Sequence, residues 1–256
     1  MTAVDRRADY GADQGADQGA DRTLPPVRTL LGVWAHPDDE AYLSSVLMAA
    51  VRREGGRVVV VTATHGEHGT DDPERWPPER LAEQRERELR ASLDVVGVTE
   101  HHWLGHRDGE LAGVSPEEGA RELMPYLERL RPDTIVTFGP DGMTGHGDHR
   151  AISAWVTEAW RLTGRRAALW YATLTPEFHA EWGALNDEVG LWFEGSRPPV
   201  TPRDELAAHL HLTDDLLVLK HRALRAHASQ TRPLEKLVGA EVYRRWWASE
   251  SFVAAG

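Results

Sequence analysis

The sequence predicts an α/β fold of the Rossmann type, a mainly parallel sheet with helices on both faces, followed by a more variable C-terminal region. Three observations predict it. Apolar, β-branched runs recur at residues 29–35, 57–64, 134–138 and 167–174. Segments with apolar residues at helical spacing separate them. The turns between them carry Gly, Pro and capping residues. Alternating strands and helices read as βαβ units, whose strands are covered on both faces and so lack polar alternation.

In order along the chain, TLLGVWA at 29–35 reads as a buried strand. Residues 39–54 read as a helix stopped by Gly55 and Gly56. RVVVVTAT at 57–64 has the composition of a central parallel strand. Residues 79–96 place Leu81, Leu89 and Leu93 on one face of a charged helix that stops at Gly97. A short strand is expected at 101–104. Ser115 with Pro116 behind it is a helix N-cap, and that helix runs to about residue 130. TIVTF at 134–138 is the next strand, followed by a helix over 149–162 and a strand over 167–174. Beyond residue 175 the pattern weakens. A Pro-rich turn spans 196–202, and helices are expected over 214–227 and 238–251.

Residues 1–26 contain GADQ-GADQ-GADR, which is too poor in apolar groups to offset its ordering entropy, so a disordered tail is expected there. Residues 27–256 are expected to form one domain. The net charge of −12 excludes a polyanion partner such as nucleic acid, which needs clustered Lys and Arg. No apolar run is long enough for a membrane span, and no signal peptide is legible. The chain has no cysteine. Thiol nucleophiles, disulfides and thiolate zinc sites are therefore excluded, and a cytoplasmic location is expected. Self-association is left open.

Chemistry concentrates at two strand ends. The first is Ala35-His-Pro-Asp-Asp-Glu40, directly after the first strand. In an open α/β sheet, ligands bind beyond the carboxyl ends of the strands. One Asp here would serve as a helix cap, but a cap does not need a His, two Asp and a Glu. The second is Thr144-Gly-His-Gly-Asp-His149, which follows the strand at 134–138. Together they offer His36, Asp39 and His149, two imidazoles and a carboxylate that leave positions open on a divalent metal. Asp38 is then available as a general base, His146 as an acid or oxyanion partner, and Asp148 to orient His146. A phosphate or dinucleotide site is disfavoured, because the first turn is acidic and lacks G-x-G-x-x-G.

These motifs resemble the PIG-L/LmbE-like N-acetylglucosamine deacetylases, including the mycothiol-precursor deacetylases. AHPDDE at 35–40 matches closely, and HGDH at 146–149 resembles the usual HPDH, with Gly147 in place of Pro. The resemblance runs from about residue 29 to 172. It implies zinc, with ferrous iron as the known alternative, held by His36, Asp39 and His149. It also implies Asp38 as base and His146 as acid or oxyanion partner, acting on an N-acylated amino sugar. The Thr64-His-Gly-Glu-His-Gly69 loop resembles the family's T-x-G-E-x-G loop, and Arg85 and Asp108 align with its substrate contacts. For Arg85 the bland alternative is a surface ion pair with Glu86 or Glu88. Leu43 stands where the related amidase branch has Lys, which argues against amidase specificity. An acylated antibiotic intermediate is a second substrate class, and a metal-binding protein without turnover is the reading from outside enzymology.

Overall fold

The structure, a computed structural model, describes residues 26–197 and 199–256. The expected tail at 1–26 lies, except for Pro26, outside the described residues.

Four βα steps and a fifth strand open the fold. These are β1 (Thr29–Trp34), α1 (Asp39–Arg53), β2 (Arg57–Thr64), α2 (Pro78–Val95), β3 (Glu100–His106), α3 (Pro116–Leu130), β4 (Thr134–Phe138), α4 (Gly147–Leu162) and β5 (Ala168–Thr173). The remainder comprises α5 (Pro176–Glu188), β6 (Leu206–His211), α6 (Asp214–Ala226), α7 (Ala228–Val238), α8 (Ala240–Trp246) and β7 (Ser249–Ala254). Among the described residues, seven strands form one sheet in the order β3-β2-β1-β4-β5-β7-β6. The first five are parallel, whereas β7 runs antiparallel to both β5 and β6.

The chain leaves β1 for β2 in one direction along the sheet and later returns to β4 on the other side of β1. With right-handed crossovers, the helices of the two halves fall on opposite faces, and a crevice opens between the carboxyl ends of β1 and β4. The strands have the composition that such double burial requires. Leu30, Leu31, Val59, Val60, Val61, Ile135 and Val136 are all fully buried. On one face α3 packs on α4 so closely that a Cβ at Gly119 would sit 1.9 Å from the Trp155 ring. Ser115 caps α3 as expected, in a reciprocal capping box with Glu118. Among the described residues, no helix is long and apolar enough to cross a membrane.

Two expectations for the C-terminal region are corrected. The helix expected over 238–251 ends as α8 at Trp246, and its last residues begin β7. Strand β6 was not foreseen. Both strands are short and rich in Ala, Ser, Glu and His, which carry little strand preference of their own. They form because β7 finds a free edge on β5, pairing Trp170 to Thr173 with Ala254 to Ser251. Helix α4 also starts two residues earlier than expected, which places His149 in its first turn.

Candidate active site

The β1–α1 turn enters the crevice and takes an uncommon backbone path. Asp38 has φ 120°, in the region that favours glycine, at a cost of about 1–3 kcal/mol. The turn folds His36 and Asp39 onto each other, and the His36 N–H donates to Asp39 Oδ2 at 2.7 Å. From the neighbouring strand end, β4 leads into α4 and delivers His149 to the same point.

The three groups expected to hold a metal converge there. His36 Nδ1 lies 3.2 Å from His149 Nε2 and 3.8 Å from Asp39 Oδ2, and His149 Nε2 lies 3.4 Å from Asp39 Oδ1. The opposite edges of both rings are committed elsewhere. His149 Nδ1 donates to the Gly142 carbonyl at 3.0 Å, which leaves Nε2 with its lone pair toward the centre. His36 Nε2 faces Asp108 Oδ1 at 3.0 Å and Asp148 Oδ2 at 3.2 Å, so it carries a proton and Nδ1 is the edge available to a cation. Electrostatics point the same way. Burial opposes a charge on His36, but Asp108, Asp148 and Asp39 outweigh it and push its pKa up to about 10. Burial raises Asp39 to about 7. Burial, followed by His36 and His146, holds His149 well below the ordinary histidine value, in the neutral form a ligand needs. The cluster therefore demands positive charge, and a divalent cation fits it by displacing the Nδ1 proton.

The other expected residues surround this centre. Asp38 Oδ2 lies 3.3 Å from an Arg85 nitrogen, and burial raises its pKa although Arg85 and His227 oppose that. Arg85 is not in a surface pair with Glu86 or Glu88. It is buried, and it donates to the carbonyls of Pro37 at 2.5 Å and Gly66 at 2.9 Å. The strand-end loops, not its own helix, supply its partners. Asp108 accepts the His68 N–H at 2.9 Å, and its bond to His36 holds its pKa well below the carboxylate range against the effect of burial.

Asp148 departs from expectation. Its carboxylate orients His36, not His146, and is itself held by the N–H groups of Gly109 at 2.8 Å and Leu111 at 3.1 Å. What His146 receives from Asp148 is the backbone N–H, accepted at Nδ1 at 3.1 Å, so the His146 proton sits on Nε2. Burial and then His36 lower the His146 pKa. Of the loop histidines, His68 lines the cavity and His65 stacks on Trp103 with ring centres 4.0 Å apart.

A cavity of about 420 Å³ opens over the centre. Its polar wall comes from the β2 and β3 loops and α2, with His68, Arg85 and Asp108. Another part of its lining is apolar and was not legible in the sequence. Tyr42 and Leu43 of α1, Phe178 of α5, and Leu234 and Trp247 near the C-terminus form part of it. Trp192 also lines the cavity, whereas Trp170 and Trp182 are buried in the core. Glu40, Gln230 and His227 were also missed as site components. Glu40 stood in the motif without a role. The other two carry no local signal, since they reach the site only by tertiary packing.

Fold and site together define a Rossmann-like α/β protein with a buried His/Asp cluster that could hold a metal ion at the switch point of its sheet. The chain belongs to the PIG-L family, described as GlcNAc-PI de-N-acetylase, whose sequence model matches residues 31–160. It is 32% identical over 240 residues to a 1D-myo-inositol 2-acetamido-2-deoxy-alpha-D-glucopyranoside deacetylase of Salinispora arenicola, covering 81% of this chain and 78% of that one. A deacetylase with the same description from Actinosynnema mirum is 32% identical over 251 residues, covering 86% of each chain. Among solved structures, N,N'-diacetylchitobiose deacetylase from Pyrococcus horikoshii superposes with a TM-score of 0.61 at 22% identity, covering 90% of this chain and 84% of that one. The 4-carboxy-2-hydroxymuconate hydratase of Pseudomonas putida superposes comparably, with a TM-score of 0.58 at 15% identity over 90% of this chain and 96% of that one. Such structural likeness establishes the fold and not the reaction.

Proposed function

We propose that this protein is a metal-dependent N-deacetylase that removes the acetyl group from a glucosamine-type amino sugar. The observation that carries this reading is the convergence of His36 Nδ1, His149 Nε2 and the Asp39 carboxylate beside a separately held carboxylate, Asp38. His36, Asp39 and His149 would hold the metal, with zinc the expected ion and ferrous iron the alternative. A divalent cation there lowers the pKa of water and polarises the acyl carbonyl.

The chain's own groups supply the rest. Asp38 takes the proton of the attacking water as the new C–O bond forms. His146, neutral and protonated on Nε2, donates that N–H to the oxyanion. The C–N bond then breaks, the amine nitrogen receives the proton from Asp38, and acetate and the free amino sugar leave. Asp108 and Arg85, on the polar wall, are the groups proposed to meet the sugar hydroxyls. The kinship with inositol-glucosaminide deacetylases supports this substrate class.

The apolar wall favours a second substrate class, an acylated antibiotic intermediate with a hydrophobic part. It changes the substrate and leaves the site and reaction unchanged.

The test is to purify the protein, measure bound metal, and follow acetate release from N-acetylglucosaminyl-inositol and from acylated antibiotic precursors. Release is expected to disappear on chelation and return with zinc or ferrous iron. A protein that binds no metal on reconstitution would sink the reading.

A further inference from the structure

The mechanism uses the carboxylate of Asp38, but something must keep its backbone at φ 120°. Two clamps act on it. One is Arg85, which reaches the Asp38 carboxylate and the Pro37 carbonyl. The other is Glu40, whose Oε2 accepts the Asp38 N–H at 3.0 Å. Glu40 is fully buried, and its remaining oxygen, Oε1, is held by Ser92 Oγ at 3.2 Å and by His227 Nε2 at 2.8 Å.

His227 stands at the junction of α6 and α7, 187 residues from its partner and outside the family match at 31–160. It is fully buried, and its other ring nitrogen, Nδ1, has no partner among the described residues. An acceptor-only carboxylate requires a donor at Nε2, and that bond is the imidazole's one side-chain anchor. The segment that carries it is docked on α2 as well: Ser229 donates to Glu88 through its N–H at 2.9 Å and through its hydroxyl at 2.6 Å. A buried imidazole with one nitrogen unused is a poor choice for filling a core. Its use lies in the direction of the bond it makes.

We propose that His227 is a positioning residue for Asp38: it fixes Glu40, and Glu40 holds the Asp38 N–H so that the positive-φ turn aims the carboxylate at the reaction centre. The proposal rests on Asp38 being the base assigned above. It gives the C-terminal third a part in the chemistry.

The test compares three variants of the full chain loaded with metal. In His227→Leu the donor is gone. In His227→Asn the amide stops near the place of Nδ1, short of Glu40. In His227→Gln the amide reaches the place of Nε2. His227→Leu and His227→Asn are expected to lower kcat by about 100-fold, the scale of a misplaced group, with KM and bound metal unchanged. His227→Gln is expected to restore most of kcat. Crystal structures supply a readout that does not depend on activity: Asp38 should leave the positive-φ region in the Leu and Asn variants and keep it in the Gln variant. Asp38 unmoved in the Leu and Asn variants overturns the proposal even if the wild type is an active deacetylase. Equal loss of kcat, KM and metal also overturns it, as does failure of Gln to rescue, or failure of both Leu and Asn variants to fold. If Asp38 moves as expected but the wild type releases no acetate from any substrate, the positioning role stands as geometry and the assignment of the base falls.

Discussion

The parallel half of the molecule, β1 to β5, and the C-terminal third are held together by different means. In the parallel half, runs such as Val58 to Val61 are buried whole, and the strands pair residue for residue with their neighbours. In the C-terminal third, the pairing of β7 on β5 and the burial of Tyr243, Trp246 and Phe252 are supplemented by single buried polar bonds. Lys220, fully buried, donates to Glu250 at 2.7 Å and to the Tyr42 carbonyl at 2.6 Å. Glu250 in turn accepts the N–H groups of Val46 and Leu47. Trp246 Nε1 donates to Asn186 at 2.9 Å, and the Tyr42 and Tyr243 hydroxyls meet at 2.8 Å. The difference teaches a division of labour. Periodic apolar burial builds a scaffold that tolerates exchange of similar residues, whereas a few directional bonds fix where the closing segment sits over the cavity.

Four substitutions break or sharpen that contrast, from the largest effect down. Asp38→Ala, at the scaffold's functional end, should reduce kcat by roughly 10²–10⁴-fold while bound metal and the unfolding midpoint hold, as expected for loss of a general base. A variant with near-normal turnover would remove Asp38 from the mechanism. Glu250→Ala leaves the Lys220 ammonium buried without a counter-charge and should cost about 3–5 kcal/mol in denaturant unfolding. A loss below ~1 kcal/mol, the scale of an exposed pair, would mean that the C-terminal third is not held by its polar bonds. Gly119→Ala tests the scaffold's packing. The added methyl group meets the Trp155 ring, and overpacking of this kind costs about 1–3 kcal/mol with activity retained. Ser115→Ala removes the cap of α3 and should cost about 1 kcal/mol, read as a small fall in melting temperature.

The division also explains what was legible. The strand at 57–64 and the strand at 134–138 were readable to the residue, because a doubly buried strand writes its environment into consecutive β-branched residues. The groups that converge at the centre were readable because two short motifs each follow such a strand. Arg85 was ambiguous, since a helix in isolation offers it Glu86 and Glu88, and only the loop carbonyls of Pro37 and Gly66 draw it inward. Strands β6 and β7 were missed because β7 becomes strand only against the edge of β5, and β6 only against β7.

By itself, then, the sequence determined the order of strands and helices in the parallel half, the position of the crevice, and the residues delivered to it. Periodicity, capping and motif spacing are properties of neighbours in the chain, and neighbours were enough. Only the tertiary structure decided that Asp148 turns to His36, that Tyr42 and Trp247 share one cavity wall, and that His227 anchors Glu40. The bonds from the C-terminal third back to α1 join residues 178 to 205 positions apart. A bond of that range has no local pattern to announce it. It exists because folding buries two polar groups side by side, where neither can turn back to water.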